Sequence, residues 1–245
     1  MTVAVSYAER AVPPAARDLL TCGWFRTATS AEQSVQRVVP DACADVMWHR
    51  ESGALFVAGP DTHAQVAKLT PGTLVGVRFR PGHSPAGLGL PADALRDGRV
   101  DLAELWPADR ADRLAGALAA TTTTADALAV LTDAVTEHRT DTDPAAPELL
   151  RLAGADTRIP AIADHLGLTE RQVHRRCVAA FGYGPKLLAK VLRFDRAVRM
   201  ARVGTGFARV AAETGYADQA HLSRDVAALA GVPLSVLVGR TRRLP

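Results

Sequence analysis

The chain has 245 residues, 48% of them hydrophobic and 22% charged, with a formal net charge of +3 and a mean hydropathy close to zero. These values suit a globular protein of one large or two ordinary domains. Apolar runs such as 125–135 are broken by Asp or Thr well short of the ~20 residues a membrane span needs. The first ten residues have no basic start followed by an apolar core, so neither a membrane partner nor a signal peptide is expected. Cys22, Cys43 and Cys177 are widely spaced, which excludes a disulfide framework and a CxxC metal knuckle. A reducing cytoplasm is the expected location.

In chain order, the first part reads as mostly β. Short apolar runs at 34–39, 45–48, 54–57, 66–69 and 74–79 alternate with turn signals such as Val39-Pro40-Asp41, Gly59-Pro60-Asp61, Thr70-Pro71-Gly72 and Arg80-Pro81-Gly82. Regular spacing of this kind predicts a small barrel or sandwich. Helical periodicity follows at 107–120, with Leu114 and Leu118 four apart, and at 125–139, with Leu128, Leu131 and Val135 on one stripe. Thr140-Asp141-Thr142-Asp143-Pro144 is the best interdomain linker. The predicted division is therefore 1–106, a β-rich domain; 107–143, a helical connector able to serve in dimerisation; and 144–245, an all-α domain. The fold class is α+β.

Charge supports this division. From Pro144 onward 16 Lys and Arg stand against 8 Asp and Glu, whereas before it the counts are 13 and 18. A basic module joined to an acidic one is the pattern of a nucleic-acid binder carrying a separate sensory or partner module.

The all-α part contains one pattern twice. Helix 159–166 turns Ile162, Ala163 and Leu166 inward and stops at Gly167. Thr169 then caps a helix to about Ala180, with Val173 and Cys177 inward and Arg171, His174 and Arg175 outward. In the second unit, Val210 to Thr214 stops at Gly215, and Asp218 caps a helix from Gln219 to about Leu229. There Leu222 and Val226 face inward, and Gln219, Ala220, Ser223 and Arg224 face outward. A short turn, a capped second helix and an outward polar face with Arg are what major-groove reading requires, since Arg bonds a guanine edge twice and a small Ala admits a thymine methyl. His221 reads as a packing or backbone-bonding residue. Between the units, 185–202 is one uninterrupted helix of roughly 27 Å, long enough to hold two reading helices in successive major grooves about 34 Å apart.

The stretch 159–243 resembles the DNA-binding domain of AraC/XylS-family transcription regulators. The resemblance is carried by Ile162-Ala163 with Leu166-Gly167-Leu168-Thr169, Phe181-Gly182-Tyr183-Gly184-Pro185, Arg193-Phe194, Ala197, and above all Gly215-Tyr216-Ala217-Asp218-Gln219-Ala220-His221-Leu222-Ser223-Arg224-Asp225 with Gly231-Val232-Pro233. Cys177 and Val226 stand where family members often have Phe, and Leu234 replaces the usual Ser-Pro start. The N-terminal half is similar to the family's cupin-like effector barrels through Val39-Pro40-Asp41, Asp45-Val46-Met47-Trp48, Ala58-Gly59-Pro60 and Gly76-Val77-Arg78-Phe79-Arg80-Pro81-Gly82. The resemblance implies a regulator that binds promoter or operator duplex through Arg171, His174, Arg175, Gln219, Ala220, Ser223 and Arg224. Its candidate partners are double-stranded DNA, RNA polymerase, a small-molecule effector and a second copy of the chain. In the barrel mouth Trp48 and Phe79 are candidate apolar walls, and Arg78 and Arg80 candidate anion binders, against the plainer reading of Trp48 and Phe79 as core.

Two other classes stay open: a metal-binding cupin enzyme fused to a DNA-binding domain, and a protein-interaction adaptor. His49, His63 and His83 would be the metal ligands, but the sequence has no HxH pair and no Glu at matching distance. No phosphate loop, nucleophile elbow or zincin motif occurs. A non-enzymatic protein without metal, cofactor or catalytic residues is expected. Cys22 and Cys43 read as redox sensors or, more simply, as inert buried thiols.

Overall fold

The computed structural model describes residues 5–29, 35–68, 70–137 and 139–239. Eight strands come first: β1 (Val5–Arg10), β2 (Leu20–Ala28), β3 (Val35–Val38), β4 (Asp45–His49), β5 (Leu55–Ala58), β6 (Gln65–Lys68), β7 (Gly72–Phe79) and β8 (Arg99–Asp101), with the short helix α1 (Ser84–Leu88) before β8. Six form an antiparallel sheet in the order β1-β2-β7-β4-β5-β8, and β3 pairs with β6 as a separate two-stranded ribbon.

Period-two alternation gives the sheet two unlike faces. Val46, Trp48, Val57, Val75, Val77 and Phe79 turn to one face. They are buried there with Leu114 and Leu118 of α2 (Ala108–Ala119) and with Leu128, Leu131 and Val135 of α3 (Thr124–Glu137). These two helices, expected as a connector, thus spend their apolar stripes on the sheet. Gly23 in β2 permits the approach, since a Cβ there would lie 2.9 Å from the Leu128 side chain. The opposite face carries Cys22, Trp24, Met47, Phe56, Ala58 and Leu74. The β3–β6 ribbon lies across it, and a cavity of about 470 Å³ separates the two. The expected barrel is therefore a sheet with a ribbon laid over one face. Strands β1, β2 and β8 have no counterpart among the sequence expectations.

The rest of the chain is helical: α4 (Ala146–Gly154), α5 (Ile159–Leu166), α6 (Glu170–Phe181), α7 (Pro185–Arg202), α8 (Phe207–Thr214), α9 (Gln219–Ala230) and α10 (Leu234–Leu237). Only α4 and α10 were not anticipated. There are two apolar cores. Leu149, Leu152, Ile162, Val173 and Cys177 meet Leu188 and Val191 of the first half of α7. Val210, Leu222 and Val226 meet Phe194, Ala197, Val198 and Ala201 of its second half. Leu187 packs against both cores.

The β-rich and helical parts also touch. Gly82, at φ +81°, lies against the Phe181 ring, so that an added Cβ would be 2.6 Å from it. Ala42, from the loop before β4, is buried in the core of α4 to α7. Gly82→Ala combines a left-handed backbone with a ring that must be displaced, and should cost about 2 kcal/mol. The expected result is a lower denaturant midpoint with unchanged slope. An unaltered midpoint would show that this contact does not hold the two parts together.

Candidate nucleic-acid interface

Each candidate reading helix is built by a local device. In the first unit Gly167 ends α5 at φ +62°, a conformation open to glycine at little cost. Thr169 then caps α6 through a reciprocal box: the Gln172 N–H donates to the Thr169 hydroxyl at 3.2 Å, and the Thr169 N–H donates to Gln172 Oε1 at 2.8 Å. In the second unit Gly215 ends α8 at φ +84°. Asp218 caps α9 by accepting from the His221 N–H at 2.6 Å. The His221 ring packs edge-on against Tyr216 with centroids 5.1 Å apart.

With Val173, Cys177 and Leu222, Val226 buried, the opposite faces of α6 and α9 are presented outward. Arg171, His174, Arg175, Gln219, Ala220, Ser223 and Arg224 are all exposed. Arg171, Arg175 and Arg224 have no hydrogen bond or ion pair among the described residues. His174 lies over the α6–α7 turn, its Nε2 at 2.7 Å from where a Cβ on Gly184 would be. The Ser223 hydroxyl donates to the Gln219 carbonyl at 2.8 Å.

Neighbouring cations are engaged differently. Arg193 is held between Asp156 and Asp225, both at 3.4 Å, and stacks over Tyr216. Because Lys190 also reaches Asp225 at 3.3 Å, this carboxylate ties α9 to α7. Arg199 pairs with Asp195, Arg196 donates to the Gly154 carbonyl, and Arg176 binds Asp143 of the linker at 2.6 Å. The basic tail 240–243, a candidate phosphate contact, lies outside the described residues.

The N-terminal domain meets the C-terminal ends of both reading helices. At α6, Arg96 Nη1 donates to the Gly182 carbonyl at 3.2 Å, and Pro60 packs on Gly182. At α9, the Ala64 N–H donates to the Leu229 carbonyl at 2.7 Å and Arg37 Nη1 to the Ala230 carbonyl at 2.9 Å.

Of the four residues expected at the barrel mouth, Arg78 lines the cavity, but it is bonded to Asp45 at 3.0 and 3.2 Å and lies 3.4 Å from Asp41. Trp48 and Phe79 do not line it. They have the opposite parity on β4 and β7 and are buried under α2 and α3. Arg80 is exposed beyond the end of β7, donating to the Arg17 carbonyl. The cavity's lining instead includes Trp24, Arg26, Gln36 and Val38, none of which the sequence singled out. Cys22-x-Trp24-x-Arg26, an alternation inside 20–28, was the available signal.

The three histidines are not brought together. His49 contacts Ser52 and the Pro71 carbonyl, His63 contacts Thr62, and His83 contacts the Pro81 carbonyl. Burial pushes the Cys22 thiol up to about 11 and the Cys177 thiol up to about 12, and raises that of Cys43 as well. All three are therefore protonated and poorly nucleophilic at neutral pH.

Comparison with known proteins bears on both parts. A family described as a helix-turn-helix domain matches residues 162–240. The C-terminal segment is an AraC-type helix-turn-helix domain. A second family, described as a domain of unknown function (DUF6597), matches residues 10–101, so the AraC-type domain follows a strand-rich domain. No curated protein matches the sequence. Among solved structures, ToxT from Vibrio cholerae O395 aligns at 11% identity and TM-score 0.45, over 86% of this chain and 89% of its own. Wild-type ToxT from Vibrio cholerae strain SCE256, in a structure described as bound to an unsaturated fatty acid, aligns at 10% identity and TM-score 0.46, over 86% and 95%. Among the described residues no helix is long and apolar enough to cross a membrane.

Substituting either exposed arginine should be read in DNA discrimination. Arg175→Ala and Arg224→Ala should each cost about 1–3 kcal/mol of preference for the cognate duplex, with little change in stability. Competition binding against scrambled duplex measures this, and unchanged discrimination would remove that arginine from the base-reading set. Thr169→Ala, which removes a cap, should lower stability by about 1 kcal/mol, visible as a reduced melting temperature.

Proposed function

We propose that the chain is a cytoplasmic, sequence-specific transcription regulator whose AraC-type domain reads promoter DNA with α6 and α9, under control of a small molecule held by the N-terminal domain. The observation that carries this reading is the pair of capped helices on one strut, presenting Arg171, Arg175 and Arg224 outward without counter-ions among the described residues. At 18 residues α7 is about 27 Å long, and its two halves carry one unit each, so the heads suit successive major grooves of one duplex. His174, Gln219, Ala220 and Ser223 complete the proposed contact set. The β-rich domain reaches the ends of both helices and encloses a cavity of about 470 Å³, which supports control by an effector.

RNA polymerase is the partner class through which such a regulator acts. Two heads on one chain bind a long asymmetric site without a second copy, and a homodimer would use surfaces other than the stripes of α2 and α3. The enzymatic alternative has no observation in its favour, since the histidines it needs are each engaged with separate neighbours.

Selection of bound fragments from fragmented genomic DNA tests the reading. The intact protein should enrich one discrete motif, and the Arg175→Ala/Arg224→Ala variant should not. Affinity for that motif should fall about a hundredfold between 50 and 200 mM salt, the dependence expected when about four phosphates are neutralised. Equal enrichment by both proteins, or salt-independent binding, would overturn it.

A further inference from the structure

The cavity between the sheet and the ribbon contains one electrostatic anomaly. Its other inward cations are neutralised: Arg78 by Asp45, and Arg99 by Asp61 through bonds of 3.0 and 2.8 Å. Arg26 of β2 is not. It is only 7% exposed and forms no ion pair among the described residues. Nη1 donates to the neutral Oε1 of Gln36 at 2.5 Å, while the buried Nε has no partner. Burial accordingly lowers its pKa. A desolvated guanidinium without a counter-ion is unfavourable, and its planar fork matches a carboxylate or sulfonate. Around it stand Trp24, Val38, Met47, Phe56 and Leu74, a mostly apolar wall. Lys68 at the exposed rim adds a second positive charge.

The strand that partners Arg26 also touches the DNA-binding domain. In β3, Gln36 and Val38 face the cavity. Arg37, between them, turns the other way and donates to the Ala230 carbonyl at the end of α9. The Ala64 N–H, beside β6 in the same ribbon, holds the Leu229 carbonyl. An anion on Arg26 would compete with the Gln36 oxygen for the same donors, and the residue next to Gln36 holds the reading helix.

We propose that the cavity takes a small organic anion with an apolar body, its acidic group paired to Arg26 in place of Gln36, and that β3 carries this exchange to the C-terminal end of α9. The inference rests on the reading that the N-terminal domain governs DNA binding, and it names the ligand class and the strand that acts.

Two fluorescent probes of similar frame separate the charge from the apolar body: 8-anilinonaphthalene-1-sulfonate and the uncharged N-phenyl-1-naphthylamine. The full chain should bind the sulfonate at least tenfold more tightly. Arg26→Gln should abolish that preference while leaving affinity for the neutral probe unchanged, which also shows that the variant is folded. Arg26→Lys should retain the preference. The sulfonate, and not the neutral probe, should speed amide exchange at residues 227–231 and shift affinity for the selected DNA motif. Arg37→Ala, outside the cavity, should remove that shift without altering probe binding. A preference that survives Arg26→Gln would overturn the anion site. Arg26-dependent binding with no change in exchange or DNA affinity would overturn the coupling alone. If neither probe binds a protein that still selects its motif, both the anion site and effector control through this cavity fall, while the DNA-binding reading stands.

Discussion

The last carbonyls of an α-helix have no partner within the helix, and for both candidate reading helices of this protein some of the missing donors come from the other domain. Arg96 reaches Gly182 behind α6, and Arg37 with the Ala64 N–H reaches Ala230 and Leu229 behind α9. The N-terminal ends are secured by their own Thr169 and Asp218 caps. The opposite ends depend on a surface distant in sequence, 86 residues from Arg96 to Gly182 and 193 from Arg37 to Ala230. Each helix is thereby fixed at one end by local chemistry and at the other by tertiary packing. A change in the strand-rich domain has a short mechanical route to the exposed faces of α6 and α9.

The distribution of charge reinforces this division of labour. Among the described residues, several arginines of the helical part have internal or near-neighbour partners: Arg151 with Glu148, Arg193 with Asp156 and Asp225, Arg199 with Asp195, and Arg209 with Glu213. The exposed pairs among them add little stability, but each offsets an arginine's charge locally. Arg171, Arg175 and Arg224 keep theirs. Their uncompensated charge on α6 and α9 would favour approach of a duplex to that face.

What could be read from the sequence was what short-range chemistry specifies. Helices α5, α6, α7 and α9 fall within a residue of their expected limits because Gly167, Thr169, Pro185, Gly215 and Asp218 are start or stop signals acting within a turn or two. Strands β3 to β7 were visible between their turn residues. β1 and β2 escaped because the first lacks a buried face and the second is interrupted by Gly23, which is there to admit Leu128. The face of the sheet was the larger difficulty. Trp48 and Phe79 alternate correctly, yet which parity meets α2 and α3 and which meets the ribbon is decided by elements far away in the chain. Arg26 was hidden for the same reason: its sequence neighbours do not show that it has no ion pair among the described residues.

The long helix α7 joins two heads that are chemically unlike, one bearing Arg171, His174 and Arg175, the other Gln219, Ala220, Ser223 and Arg224. A rigid strut with different ends is an arrow. On the proposed function, the sequence it would fit has a direction, and inverting that sequence in a promoter would turn the whole molecule around. The strand-rich domain, fixed behind both heads, would then face downstream where it had faced upstream. Orientation of the site, as much as its presence, therefore decides what the bound protein can touch.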